Sequence, residues 1–192
     1  MSARKILIIP GSTRAGSRNA KLAALAALHF LRAGADVTRI SLADFPLPIY
    51  DADLQAKSGV PKHAINLKRM IGAHDGVLLV TPEYNASIPA LLKNAIDWIS
   101  RVQDPQEGRG EVFRARPFAI AAASEGRLGG SRALAALRLI LTACHATVIP
   151  NQLALSFADE AYDDRDRLRQ SGDIEALDAL VRQLIAFSQQ ML

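Results

Sequence analysis

Ile6-Leu7-Ile8-Ile9-Pro10-Gly11-Ser12-Thr13-Arg14-Ala15-Gly16-Ser17-Arg18-Asn19 passes from an unbroken apolar tetrad into a small, hydroxylated, cationic turn. Leu22, Leu25, Leu28 and Leu31 then follow at three-residue spacing. The tetrad has strand length and no alternation, as expected of a strand buried on both faces of a parallel sheet. The leucine spacing predicts a helix, with Ser17 as its N-cap. A buried strand running through a short turn into a helix is the repeating unit of a wound α/β sheet.

The same unit recurs down the chain. Asp36 to Leu42 is a weaker second strand, and Gly76 to Thr81, Phe118 to Ala123 and Thr147 to Ile149 supply three more. Between them lie a helical stretch over Lys62 to Ala73 and apolar stripes over Leu91–Ile99 and Leu134–Cys144. Ser87 and Pro89 stand before the second of these, with Pro89 expected in the first turn, where its missing N–H costs nothing. Ile174, Leu177, Leu180, Val181, Leu184 and Ile185 mark the clearest amphipathic helix. Right-handed crossovers then favour a flavodoxin-like three-layer sandwich: a five-stranded parallel sheet in the order 2-1-3-4-5.

The 192 residues read as one domain, 1–192, with 49% hydrophobic but only 5% aromatic residues, so aliphatic helices carry much of the core. The single cysteine, Cys144, excludes an internal disulfide and an all-cysteine zinc site, and suits a reducing compartment. No secretory h-region and no run of spanning length is present, which predicts a cytoplasmic protein without membrane association. The net charge is +4, yet the basic residues are dispersed, as where Arg165, Arg167 and Arg169 alternate with Asp164 and Asp166. No nucleic-acid partner is expected from such a pattern.

Ligands of doubly wound sheets sit beyond the carboxyl ends of the strands at the switch point, which selects the loops after strands one, three and four. In the first, Ser12, Arg14, Gly16, Ser17, Arg18 and Asn19 crowd hydroxyls, guanidinium and amide onto a helix N-terminus, a setting that suits a phosphate better than an ordinary turn. A dinucleotide fingerprint needs glycine where Thr13 stands. A Walker loop needs lysine and a hydroxyl where Ser17 and Arg18 stand. A monophosphate held without metal remains. In the second loop, Pro82-Glu83-Tyr84-Asn85 reads equally as a rigid turn against a planar heterocycle and as a capped helix start with a surface tyrosine. The third, Ser124-Glu125-Gly126 with Gly129 and Gly130 beyond it, permits close backbone approach but is equally a tight turn.

Taken together, Gly11 to Asn19, Leu47-Pro48-Ile49-Tyr50-Asp51-Ala52-Asp53 and Thr81 to Trp98 resemble the NAD(P)H-dependent FMN reductase family, which includes bacterial quinone and chromate reductases. The likeness runs from Lys5 to about Leu141 and is most specific at Thr81 to Trp98. It implies FMN as cofactor, NADPH or NADH as co-substrate, and a small-molecule electron acceptor. By residue, it places the FMN phosphate on Ser12, Arg14, Ser17 and Asn19. It sets the isoalloxazine against Pro82, Glu83, Tyr84 and Asn85, largely through backbone, with Ser124 as a further contact. Lys93, Asn94, Asp97 and Trp98 match a helix that helps form a dimer face, implying a homodimer or dimer of dimers. Glu125 replaces a residue that is neutral in many relatives, and Gln103 to Ala115 is a longer connection expected to reshape access.

The reading that follows is an FMN-dependent oxidoreductase passing hydride from NAD(P)H to quinones or similar acceptors in two half-reactions, with no catalytic side chain and no metal. A flavodoxin-type electron carrier is the alternative, disfavoured by the basic charge. A flavin-free phosphate-ester binder is a third. The four histidines share no ligand spacing. Cys144 and His145 are read as structural, and Asp51 and Asp53 as loop residues.

Overall fold

The structure, a computed structural model, describes residues 3–103 and 110–191. Its centre is a five-stranded sheet, β1 (Lys5–Pro10), β2 (Asp36–Arg39), β3 (Gly76–Val80), β4 (Pro117–Ala123) and β5 (Thr147–Leu155), in the order β2-β1-β3-β4-β5. All four pairings are parallel; Ile6, for example, lies opposite Val37 on one side and Gly76 on the other. The expected topology is present in full.

Helices cover both faces, which is why the central strands carry no polar alternation. Ile6, Ile8, Leu78, Val80 and Ala121 face α1 (Arg18–Arg32) and α7 (Ser171–Gln190). Leu7, Ile9, Val77, Leu79 and Ile120 face the other layer. That layer is built by α3 (Lys62–Gly72), α4 (Ala90–Arg101), α5 (Glu111–Arg114) and α6 (Ser131–Ala143).

Several boundaries differ from the sequence reading. The second strand stops at Arg39 instead of Leu42, because the Ser41 hydroxyl accepts from the Ala43 N–H (3.2 Å) and starts a single 3₁₀ turn over Leu42–Asp44. β5 continues past Ile149 to Leu155, and its register against β4 shifts between Phe118 and Ile120. That irregularity takes up Pro150, which has no N–H for a ladder. α2 (Ala52–Ser58) was not anticipated: Asp51 is its N-cap, accepting from the N–H groups of Asp53 (2.7 Å) and Leu54 (3.1 Å). α4 begins at Ala90, so Pro89 stands at the cap position outside the first turn.

Leu28 and Leu31 do not face the core; they are half exposed, and Leu22, Ala23, Leu25, Ala26 and Phe30 form the buried stripe. A strict three-residue repeat drifts around a helix of 3.6 residues per turn. Cys144 caps α6 and packs on the core from a half-buried position, where burial and then the Asp97 charge push its thiol pKa up. Of the Gln103–Ala115 connection, 104–109 lie outside the described residues. Its described part packs through Phe113 on Phe118 (5.9 Å), at the amino end of β4 and away from the site-bearing loops.

Candidate active site

The first loop leaves β1 with the Gly11 N–H donating to the Val80 carbonyl (2.7 Å) at the end of β3. A Cβ at Gly11 would lie 3.0 Å from the Leu92 side chain, so the turn packs closely on α4 here. The turn closes by a bond from the Ser17 N–H to the Arg14 carbonyl (3.1 Å), with Gly16 at φ +67°. The Ser17 hydroxyl caps α1 by accepting from the Ala20 N–H (3.3 Å), as the sequence predicts.

The cations of this turn have different fates. Arg18 is spent: its Nε and one Nη donate to the two carboxylate oxygens of Asp159, both at 2.6 Å, and that Nη also reaches Glu125 at 2.8 Å. The Arg18 bonds hold the Asp159 carboxyl below its usual range. Arg14 is exposed, with no ion pair among the described residues. Glu125 therefore faces a guanidinium. Asn19 is buried and clamps β4: its amide donates to the Ala123 carbonyl (2.9 Å) and accepts from the Ala123 N–H (2.8 Å). The amide thus positions the end of β4 beside the turn.

The second loop is a two-residue hairpin. Tyr84 and Ser87 exchange both backbone bonds, at 2.9 and 3.0 Å, around Asn85 (φ +51°) and Ala86 (φ +63°). Positive φ at both central positions is a type I′ turn, which asparagine tolerates and alanine resists. Strain of this kind collects at functional sites. Ser87, expected to open the helix, instead closes this hairpin. Tyr84 is left half exposed at its corner. The Glu83 side chain points elsewhere: its carboxylate takes the Arg132 Nε–H (2.6 Å), and another Arg132 nitrogen pairs with it more closely still. What loop two offers a ligand is therefore chiefly backbone and Tyr84.

In the third loop, the Ser124 N–H donates to the Leu155 carbonyl (3.1 Å) and the Ser124 hydroxyl accepts from the Gly126 N–H (3.4 Å). Gly129 and Gly130 serve packing: added Cβ atoms would lie 2.5 Å from the Ala154 oxygen and 2.6 Å from the Ala122 Cβ.

The three loops enclose a cleft of about 240 Å³ over the carboxyl ends of β1, β3 and β4. Ser12, Arg14, Ser17, Arg18, Asn19, Pro82, Glu83, Tyr84, Ser124 and Glu125 line it. Gly16 lines the neighbouring cavity, while Asn85 and Gly126 shape the loops without lining the cleft. Cavities of about 600 Å³ lie between α3 and α5 and beside α1, but both are away from the switch point. Asp159 and Arg132 escaped the sequence reading, since no motif marks them and their partners lie 141 and 49 residues away. Asn94 and Trp98 hold the Pro48 carbonyl, at 2.9 and 2.7 Å, and Tyr50 packs edge-on against Trp98.

Among the described residues no group of three or more His, Cys, Asp and Glu could hold a metal, and no helix is long and apolar enough to cross a membrane.

A wound sheet with a hydroxylated, cationic turn at its switch point defines a mononucleotide-binding α/β protein. Residues 4–160 match the NADPH-dependent FMN reductase family model, and the chain belongs to that family. It is 39% identical over 146 residues to a quinone reductase of Escherichia coli K12, covering 76% of this chain and 73% of that one. To an NAD(P)H-dependent FMN reductase of Pseudomonas aeruginosa it is 39% identical over 167 residues, 85% of this chain and 84% of that one. A solved flavoenzyme NAD(P)H:(acceptor) oxidoreductase from Paracoccus denitrificans superposes with a TM-score of 0.78 at 27% identity, over 98% of this chain and 99% of that one. The chain is an oxidoreductase using FMN and NAD(P)H.

The turn suits FMN on its own chemistry: a guanidinium with no ion pair among the described residues, two hydroxyls and a helix N-terminus meet at the cleft, and a tyrosine-bearing corner also lines it.

Proposed function

We propose that the chain oxidises NAD(P)H and reduces quinones or similar small acceptors in two successive half-reactions at this cleft. Bound FMN supplies the hydride relay, the hard chemistry that side chains lack. Arg14 holds the phosphate, with Ser12 and Ser17 and the first N–H groups of α1 completing the cradle. Asn19 fixes the end of β4 beside it. The strained Tyr84–Ser87 hairpin presents backbone to the polar edge of the ring, and Glu83 anchors that hairpin to α6 through Arg132.

No side chain is assigned as acid or base. Glu83 is committed to Arg132, and Glu125 and Asp159 to Arg18. The observation that carries the reading is the division of labour in the turn, where Arg18 is neutralised and Arg14 makes no ion pair among the described residues. A cleft of about 240 Å³ holds only part of a mononucleotide, leaving one ring face open to nicotinamide and acceptor in turn. Ile49, Tyr84 and Leu91 are exposed apolar side chains on the surrounding loops and α4, and we assign them to a two-fold partner that deepens the site. Sedimentation as a stable monomer would remove that partner. The lone thiol suits catalysis in the reducing cytoplasm.

Anaerobic addition of NADPH to the FMN-loaded protein is expected to bleach its visible absorbance, and a benzoquinone is expected to restore it. A spectrum that NADPH and NADH leave unchanged overturns the reading and leaves a carrier.

A further inference from the structure

Behind the phosphate turn lies a second cavity of about 440 Å³, which shares Arg14, Ser17 and Arg18 with the cleft. We propose that it receives the 2′-phosphorylated adenosine end of NADPH, with Arg39 as the residue that selects NADPH over NADH. The inference rests on the hydride-transfer reading above and names the co-substrate that reading leaves open.

The charges of this cavity are unevenly committed. Arg18 is held by Asp159, and Lys21 by Asp166 at 2.6 Å. Arg14 and Arg39 line the same space without an ion pair among the described residues. With Arg14 engaged on the cofactor phosphate, one planar fork remains for a second anion, and its geometry matches a phosphate monoester.

Tyr162 adds a second observation beside the arginines. It lines the cavity at 6% exposure, and its hydroxyl has no hydrogen-bond partner among the described residues. Burial raises its pKa, so the phenol stays a neutral donor, and Lys21 lies 4.1 Å over its ring. The hydroxyl is thus a buried donor without a partner among the described residues, with Lys21 over the ring and the Asp166 and Asp173 carboxylates acting on it, and an acceptor reaching it would satisfy it.

Placement supplies the nucleotide. Arg39 ends β2, the strand beside β1, and the turn after β1 carries the phosphate cradle. In dinucleotide-binding wound sheets, whose glycine fingerprint this chain lacks, an arginine near the end of this neighbouring strand accommodates a 2′-phosphate, and Arg39 stands at the corresponding place. The volume suits a nucleoside phosphate. Because the cavity and the cleft share three residues, a dinucleotide with its nicotinamide in the cleft extends into the cavity along the protein surface.

Calorimetric titration of FMN-loaded wild-type and Arg39→Ala protein with NADP⁺, NAD⁺, 2′,5′-ADP and inorganic phosphate tests this without turnover. The wild type is expected to bind NADP⁺ about tenfold or more tighter than NAD⁺, the range of a charge-assisted hydrogen bond. Arg39→Ala closes that gap and weakens 2′,5′-ADP in step, with FMN content and unfolding temperature unchanged. Arg39→Lys keeps part of the preference. Equal wild-type affinities, or a preference that survives Arg39→Ala, overturn the proposal. Inorganic phosphate binding as tightly as 2′,5′-ADP, with NADP⁺ and NAD⁺ equal, identifies a free-phosphate site and also overturns it. Wild-type protein that takes up no FMN overturns the underlying reading instead.

Discussion

Arg18 and Asp159 form a two-pronged ion pair across 141 residues of sequence, each prong 2.6 Å long. It joins the first turn of α1 to the segment after β5. It also lowers the positive potential of the phosphate turn, because one of its two guanidiniums is already neutralised.

That pairing has a measurable consequence. Asp159→Ala leaves Arg18 with Glu125 alone and raises the potential at the cradle. FMN is expected to bind a few-fold tighter at low ionic strength, the gain shrinking as salt is added. Weaker binding in a fluorescence titration would show that Asp159 is needed to orient Arg18.

The hairpin after β3 stores strain at Ala86, whose φ of +63° glycine adopts freely. Ala86→Gly is expected to stabilise the fold by about 1 kcal/mol, the left-handed penalty less the entropy glycine costs. The urea unfolding midpoint reads this, and an unchanged or lower midpoint would contradict it.

Gly130 stands at φ +90° with the Cβ of Ala122 2.6 Å from where its own would lie. Gly130→Ala combines backbone strain with overpacking, for a loss of about 2–4 kcal/mol. A midpoint within error of wild type would refute this account of the third loop.

Asp163 is expected to titrate at a pKa of about 2, because it accepts from the backbone and side chain of Arg167 and from the backbone of Arg165. Its folded pKa lies below the ordinary value of about 3.9. The stability it contributes is therefore complete above that value and is lost as pH falls from about 4 towards 2. NMR titration of its carboxyl carbon checks the shift, and Arg167→Ala should return it towards the ordinary value.

The parts of this molecule legible in the sequence are those whose cause is local. Ile6 to Asn19 shows strand, turn and helix because burial on both faces, glycine and a serine cap leave marks within a few residues. Gly11, Ser17 and the Pro82–Ser87 corner could be placed at the ends of their strands for the same reason. Asp159, Arg132 and the Asn19 clamp on Ala123 could not be found, since their partners meet only through the sheet. α2 left no apolar stripe because it buries no residue, so its Asp51 cap looked like a loop. Leu28 and Leu31 misled because their spacing matched a helix while their faces pointed outward.

The central claim is that the turn after β1 grips the phosphate of FMN through Arg14. The most direct measurement is titration of the apoprotein, wild type and Arg14→Ala, with FMN and with riboflavin, followed by flavin fluorescence. The account predicts that wild type prefers FMN and that Arg14→Ala loses about ten- to a hundredfold of that preference while riboflavin affinity barely moves. Equal binding of FMN and riboflavin by the wild type, or an FMN preference untouched in Arg14→Ala, would contradict it.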